Sequence, residues 1–193
     1  LGLDCVRRPT GGRAVWHARE LTYAVAAPLA VFGGLRDAYH RIHLLLAAAL
    51  QSLGASPELA PLAPSPQSLA PGPCFSAPVG GEVLLDRRKV IGSAQLRQGD
   101  AVLQHGSLLL EDDQSMPRSL AGLGGAENGT GEVPLSRSLG RRVSFEEAAG
   151  VVTASAEVQL GPLRPLGPLP SALRARVRCH AQRFQDPAWT WLR

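Results

Sequence analysis

The chain has three cysteines in 193 residues, Cys5, Cys74 and Cys179, and only 5% aromatic residues. Cysteines so few, odd in number and widely spaced argue against a disulfide scaffold and suit a reducing compartment. No Cys-x-x-Cys or His-Glu-x-x-His occurs, and His17, His40, His43 and His180 lack ligand spacing, so no metal site is expected. Long hydrophobic runs are missing too. The longest, Leu44–Leu50, falls far short of the roughly 20 residues that a spanning helix needs. With no signal-like segment either, the expectation is a cytoplasmic protein with no membrane partner. Basic runs interleaved with aromatics are also absent. A formal charge of +4 is too modest to argue for nucleic acid and fits acidic protein partners better.

What is present describes a globular chain. Apolar residues make up 45% and charged residues 19%, enough for one domain with a core. Gly and Pro are many, so loops should be long or stiff. Leu3-Asp4-Cys5-Val6-Arg7 alternates as a strand does, and residues 3–8 are read as one. Arg13–Trp16 and Leu21–Val25 are further strand candidates. From Leu35 to Leu53 the apolar positions keep helical spacing, opened by Gly33-Gly34 and stopped by Gly54. The proline-rich residues 56–73 read as loop. Glu82–Leu85, Lys89–Leu96 and Ala101–Leu110 read as strands, the last two joined through Gln98-Gly99-Asp100 as an antiparallel hairpin. Residues 111–142 are Gly/Ser-rich and read as loop. Ser144-Phe145-Glu146-Glu147 is a capping box that opens a helix to about residue 158. A proline-rich linker, Gly161–Pro170, precedes a basic helix at about 171–184. Strands with helices between and after them suggest a mixed α/β or α+β fold.

One stretch carries most of the chemistry. A lone cysteine, Cys74, ends a Pro/Gly-rich loop, and Lys89 follows in the strand-like Lys89-Val90-Ile91 beside Gly92-Ser93-Ala94-Gln95. A thiol attacks only as thiolate, and its unperturbed pKa is about 8.5. A nearby ammonium stabilises the thiolate and can pass protons during acyl transfer. Taken singly, Cys74 is more often a small buried hydrophobe and Lys89 a surface residue; the pair is the better signal. Arg7-Arg8-Pro9-Thr10-Gly11-Gly12-Arg13 is a glycine turn whose arginines suit a carboxylate, phosphate or acidic partner, though a solvated hairpin rim is the commoner reading. His105, between Gln104 and Gly106, fits a general base, or more often a partly buried hydrogen-bonding histidine. Arg174, Arg176 and Arg178 wind around a helix and read as a solvated face.

These motifs resemble the superfamily of lipoate–protein ligases, octanoyltransferases and biotin ligases. Arg7-Arg8-Pro9-Thr10-Gly11-Gly12-Arg13-Ala14-Val15-Trp16-His17 is similar to the family's acyl-binding loop. Arg88–Gln95 and Leu103–Ser107 are similar to its core hairpin, and Asp186-Pro187-Ala188-Trp189 to its C-terminal signature. Cys74-Phe75 ahead of Glu82-Val83 is similar to the LipM-type octanoyltransferases. The resemblance implies a biotin/lipoate-ligase catalytic fold, a mixed and largely antiparallel sheet packed with helices, over residues 1–160, with a short helical extension at 161–193. It also implies a truncated amino terminus, with roughly 50–70 further residues upstream. The implied activity is protein N-octanoyltransfer, in bacterial lipoate biosynthesis. Cys74 takes octanoyl from acyl carrier protein as a thioester and passes it to a lysine of a lipoyl domain, such as glycine cleavage H protein. Lys89 assists the thiol. Arg7, Arg8, Gly11, Gly12, Arg13, His17, Gly92, Ser93, Ala94, Gln95, His105 and Gly106 are the implied acyl- and substrate-binding residues. No cofactor is implied. The rivals are an ATP-dependent lipoate–protein ligase, whose members typically lack this cysteine, and an inactive relic. Two local departures stand out: Val79-Gly80-Gly81 ahead of Glu82, and Arg87 in place of the family's usual glycine.

Overall fold

The computed structural model describes residues 2–61, 74–75, 79–111, 114–120 and 131–191. Its elements are β1 (Glu20–Pro28), a single 3-10 turn (Leu29–Val31), α1 (Leu35–Ser52), β2 (Glu58–Leu59), β3 (Val83–Leu85), β4 (Arg88–Lys89), β5 (Ile91–Gln98) and β6 (Ala101–Leu109). After them come α2 (Ser115–Leu120), α3 (Leu135–Leu139), α4 (Phe145–Leu160), α5 (Ser171–Gln185) and α6 (Pro187–Thr190). Among the described residues two antiparallel three-stranded sheets form, ordered β1-β6-β5 and β2-β3-β4. The mixed α/β class read from the sequence holds.

The core is built on α1. Ala38, Ile42, Leu45, Leu46, Ala49 and Leu50 are buried on its inner face, as their spacing dictates. Of these, Ala38, Ile42, Leu45, Leu46 and Leu50 join Val83, Leu85, Ile91, Val102 and Leu108 from the sheets, and Val133, Leu135 and Ala148 from the segments that follow. α4 packs along α1, and the Ser155 hydroxyl donates to the Leu45 carbonyl at 2.8 Å. Its N-cap is the predicted one: Ser144 Oγ accepts from the Glu147 amide.

Several readings are corrected. Residues 3–8 and Arg13–Trp16 form no strand; the chain from 2 to 19 is irregular, since alternation alone supplies no partner for the backbone. β1 extends to Pro28 because every residue pairs with β6, from Glu20 opposite Leu109 to Pro28 opposite Ala101. The predicted strand from Lys89 is broken at Val90, so that Lys89 belongs to the second sheet and Ile91 to the first. Among its described residues, the stretch 111–142 forms two short helices, α2 and α3, the latter ended by Gly140 in the left-handed region. The predicted 56–73 loop is corrected at Glu58–Leu59, which forms β2 paired with β3; residues 62–73 of it lie outside the described residues.

β3 and β4 are joined by Asp86 and Arg87, with φ of 51° and 61°. Positive φ at both positions of a two-residue hairpin is the type I′ pattern, which favours Asn-Gly or Asp-Gly. This tight turn brings Lys89 back opposite Leu84.

Candidate active site

The break at Val90 places Lys89 at the seam between the sheets, its side chain 2% exposed. It is the only lysine in the chain; the other 19 basic residues are arginines. Among the described residues, three contacts surround its ammonium. Glu82 Oε1 lies at 2.6 Å, the Cys74 carbonyl at 2.9 Å and Cys74 Sγ at 3.7 Å. The nitrogen also stands 5.2 Å from the centre of the Phe75 ring, within cation–π range. The predicted Cys74–Lys89 pair is thus brought together.

Cys74 is half-buried, and its amide donates to the Ala14 carbonyl at 2.9 Å, which ties the cysteine to the glycine-turn loop. Phe75 is fully buried beneath β5. A Cβ at Gly92 would lie 2.8 Å and 2.9 Å from Phe75 ring carbons and 3.3 Å from Cys74 Sγ. Gly92 is therefore the position where ring and sulfur approach the strand backbone. Gly106 is equally crowded: a Cβ there would sit 2.5 Å from the Gly92 carbonyl oxygen and 2.7 Å from Tyr23.

The pleat divides the Gly92-Ser93-Ala94-Gln95 motif between two faces, because successive side chains of a strand alternate. Gly92 faces Cys74, and Ala94 lies near Gly12 of the loop. Ser93 and Gln95 turn the other way. Ser93 Oγ lies 2.8 Å from His43 Nε2 and 2.6 Å from Tyr23 OH, while Gln95 Nε2 donates to Gln104 Oε1 and to the Leu35 carbonyl. Gln104 Nε2 in turn donates to Tyr23 OH at 3.0 Å. These side chains serve a buried polar network rather than face the thiol. Burial pushes Tyr23 up to about 12 and His43 down to about 4.

In the loop, Gly11 and Gly12 take φ of 65° and 93°, as the turn requires. The Arg8 guanidinium donates to the Arg13 carbonyl at 2.7 Å, closing the loop on itself. Thr10 Oγ1 meets His105 Nε2 at 2.8 Å. Burial, then the Arg8 charge, lowers His105 from its ordinary range. Arg7 presents its carbonyl to Trp189 Nε1 at 2.8 Å. His17 is half exposed and paired through Nδ1 with Glu20, and the same nitrogen lies 3.5 Å from the hydroxyl of Ser107, the residue opposite Gly92. A groove of about 840 Å³ runs between residues 3–17, α2 and α6, lined by Arg7, Arg8, Trp16, Met116 and Trp189 among others. Neither Cys74 nor Lys89 lines it, but Ala14, which does, accepts the Cys74 amide.

Sequence reasoning missed Glu82 as part of this centre. Its carboxylate is buried, with Oε2 accepting the Val79 amide at 2.7 Å and Oε1 the Tyr39 hydroxyl at 3.4 Å. Burial pushes the Glu82 carboxyl up, and the Lys89 ammonium pulls it back. The sequence held one unused signal: a chain that uses arginine everywhere else keeps a lysine at this position.

Residues 1–155 match the family described as the lipoyl protein ligase A/B catalytic domain. An octanoyltransferase LipM from Moorella thermoacetica is 46% identical over 114 residues, covering 56% of this chain and 41% of that protein. Another, from Exiguobacterium sibiricum, is 33% identical over 221 residues, covering 100% of this chain and 76% of that protein. The chain spans under half the length of the first four curated relatives it matches. A solved putative lipoate protein ligase from T. acidophilum with bound lipoic acid is 17% identical, with a TM-score of 0.75 over 98% of this chain and 72% of that one. A lipoate-protein ligase A bound with ATP is 16% identical, with a TM-score of 0.68 over 98% and 72%. Both likenesses are of fold.

Proposed function

Given that the chain belongs to the lipoyl protein ligase A/B catalytic domain family, we propose that it is an acyltransferase of the protein N-octanoyltransferase type, working through a thioester on Cys74. The observation that carries this reading is the Lys89 ammonium 3.7 Å from Cys74 Sγ, in a centre closed to solvent on the lysine side. A cation at that distance stabilises negative charge on sulfur, because solvent screens the pair poorly.

The chemistry then runs in two displacements. Cys74 thiolate attacks the carbonyl of a donor thioester; the new C–S bond forms, the donor C–S bond breaks, and the donor sulfur leaves and takes up a proton. In the second step an acceptor lysine, having lost a proton to solvent, attacks the Cys74 thioester. The C–N bond forms, Cys74 leaves as thiolate beside Lys89, and the amide nitrogen releases a second proton. Thioester exchange is near thermoneutral and amide formation from a thioester is downhill, so neither step needs ATP. Splitting one transfer in two lowers each barrier. In this reading the donor is acyl carrier protein and the acceptor a lipoyl domain, such as glycine cleavage H protein, both met in the cytoplasm. The Arg7–Arg13 loop supplies positive charge suited to acidic carriers. Gly92 and Ala94 on the thiol face, with Gly106 behind them, provide the small-residue wall for the acyl group, and His105 with Thr10 holds the loop above it.

Incubation with octanoyl carrier protein, without nucleotide, is expected to add one octanoyl group, labile to hydroxylamine and absent in Cys74→Ala. An adduct that persists in Cys74→Ala sinks the reading. Transfer only from free lipoate with ATP replaces it with the ligase.

A further inference from the structure

An amine 3.7 Å from a thioester sulfur is a hazard as well as a help. Once Cys74 carries an acyl group, a neutral Lys89 would be an amine held against its own electrophile. Well-oriented intramolecular attack of this kind reaches effective molarities of roughly 10⁵–10⁸ M. The octanoyl group would migrate from sulfur to nitrogen. Nζ–C would form, C–S would break, and Cys74 sulfur would take up the proton that the nitrogen loses. The product is an amide, a dead end. An ammonium has no lone pair and cannot attack.

What keeps the proton on Lys89 is therefore a functional question. The nitrogen is buried, so water does not solvate its charge and a protein group must. Of its three contacts among the described residues, the Cys74 carbonyl is neutral, and Sγ loses its charge when acylated. The Glu82 carboxylate, 2.6 Å away, does not. It is fixed from the other side by the Val79 amide and the Tyr39 hydroxyl, so it cannot swing out to water. We propose that Glu82 holds Lys89 protonated while Cys74 carries an acyl group, and so keeps that group on sulfur and available for transfer. Glu82 is a positioning residue in this account; it acts through Lys89. The inference rests on the acyl-cysteine reading above.

The chain offers an unambiguous readout, because Lys89 is its only lysine. In a Cys5→Ser/Cys179→Ser background, Cys74 is loaded with a small octanoyl thioester and the adduct is followed by mass spectrometry. With Glu82 intact, hydroxylamine is expected to remove the adduct. In Glu82→Gln, which keeps the shape but not the charge, the same mass is expected to become hydroxylamine-resistant and to map to Lys89. Glu82→Asp keeps the charge and should leave the adduct labile. A Glu82→Gln adduct as labile as that of the parent protein overturns the proposal.

A second measurement needs no Glu82 variant and no acyl transfer. Labelling with ¹⁵N-lysine gives one side-chain nitrogen signal, whose shift separates ammonium from amine. Iodoacetamide at Cys74 neutralises the sulfur as an acyl group does. At neutral pH the signal is expected to remain that of an ammonium after alkylation, and conversion to an amine overturns the proposal. A protein that accepts no octanoyl group on Cys74 sinks the acyl-cysteine reading; the nitrogen signal judges Glu82 separately.

Discussion

The Ser93 hydroxyl donates to His43 Nε2 across 2.8 Å, from the middle of β5 into the flank of α1. The direction follows from the other ring nitrogen. His43 Nδ1 lies 2.7 Å from the Gly81 carbonyl, which only accepts, so Nδ1 carries the hydrogen and Nε2 takes one. Having spent its hydrogen on His43, Ser93 accepts from Tyr23, and Tyr23 accepts from Gln104. One neutral tautomer thus orients a chain of side chains from Gly81, next to Glu82, to the far end of the hairpin.

A first prediction concerns acid. His43 sits at about 4, chiefly because burial disfavours its charged form, against an ordinary 6.5. Between those values the unfolded chain binds more protons than the folded one. Stability is therefore full above pH 6.5 and falls as pH drops toward 4, by about 3 kcal/mol for this group. Urea unfolding at pH 7 and pH 4 should show that loss, and His43→Gln should remove most of it. An equal loss in His43→Gln assigns the acid sensitivity elsewhere.

Gly92→Ala should damage both fold and chemistry. The added methyl would meet the fully buried Phe75 ring at 2.8 Å. Overpacking of this kind costs about 1–3 kcal/mol. Because Cys74 is the next residue along, the sulfur should move with the ring, and alkylation by iodoacetamide should report a changed rate. A variant with unchanged melting temperature and thiol reactivity would contradict the packing described.

Lys89 and Glu82 should prove coupled in stability. Lys89→Met leaves a buried carboxylate without its cation, a loss of about 3–5 kcal/mol for such pairs. Glu82→Leu in the same chain removes that charge and should recover most of the loss, while octanoyl transfer stays absent. Additive losses in the double variant, read by denaturant titration, would show that the two groups do not share one interaction.

Arg87→Gly should stabilise the protein. Arg87 holds φ of 61° in the β3–β4 turn, and a residue with a Cβ pays roughly 1–2 kcal/mol in the left-handed region. Glycine gives part of this back through its freer unfolded state, leaving a net gain of about 1 kcal/mol. No rise in thermal midpoint would mean that the Arg87 side chain contributes as much as its backbone strain removes.

The parts legible in the sequence were those written in local pattern. The α1 stripe, the Ser144 cap and the Gly99-Asp100 hairpin each depend on residues within a few positions of one another, and each appears at its expected place. The Cys74–Lys89 encounter was legible as a pairing of chemistries, not as a distance. What stayed hidden is long-range. Glu82 reads as the opening of a strand until the turn at Asp86-Arg87 folds Lys89 back toward it. The split of Ser93 and Gln95 from Gly92 and Ala94 follows from strand alternation, but which face meets the thiol depends on where Phe75 packs. Residues 3–8 failed in the opposite sense: their alternation is real, yet no strand among the described residues takes up their backbone hydrogen bonds.

The burial of Lys89 also sets how this chain meets reagents. Dyes, biotin esters and cross-linkers aimed at primary amines find one lysine in 193 residues, and its side chain is 2% exposed. In the folded protein that ammonium is out of their reach. Coupling at Lys89 should therefore lag far behind coupling at an exposed lysine, and the moment it begins would mark the opening of the core around it.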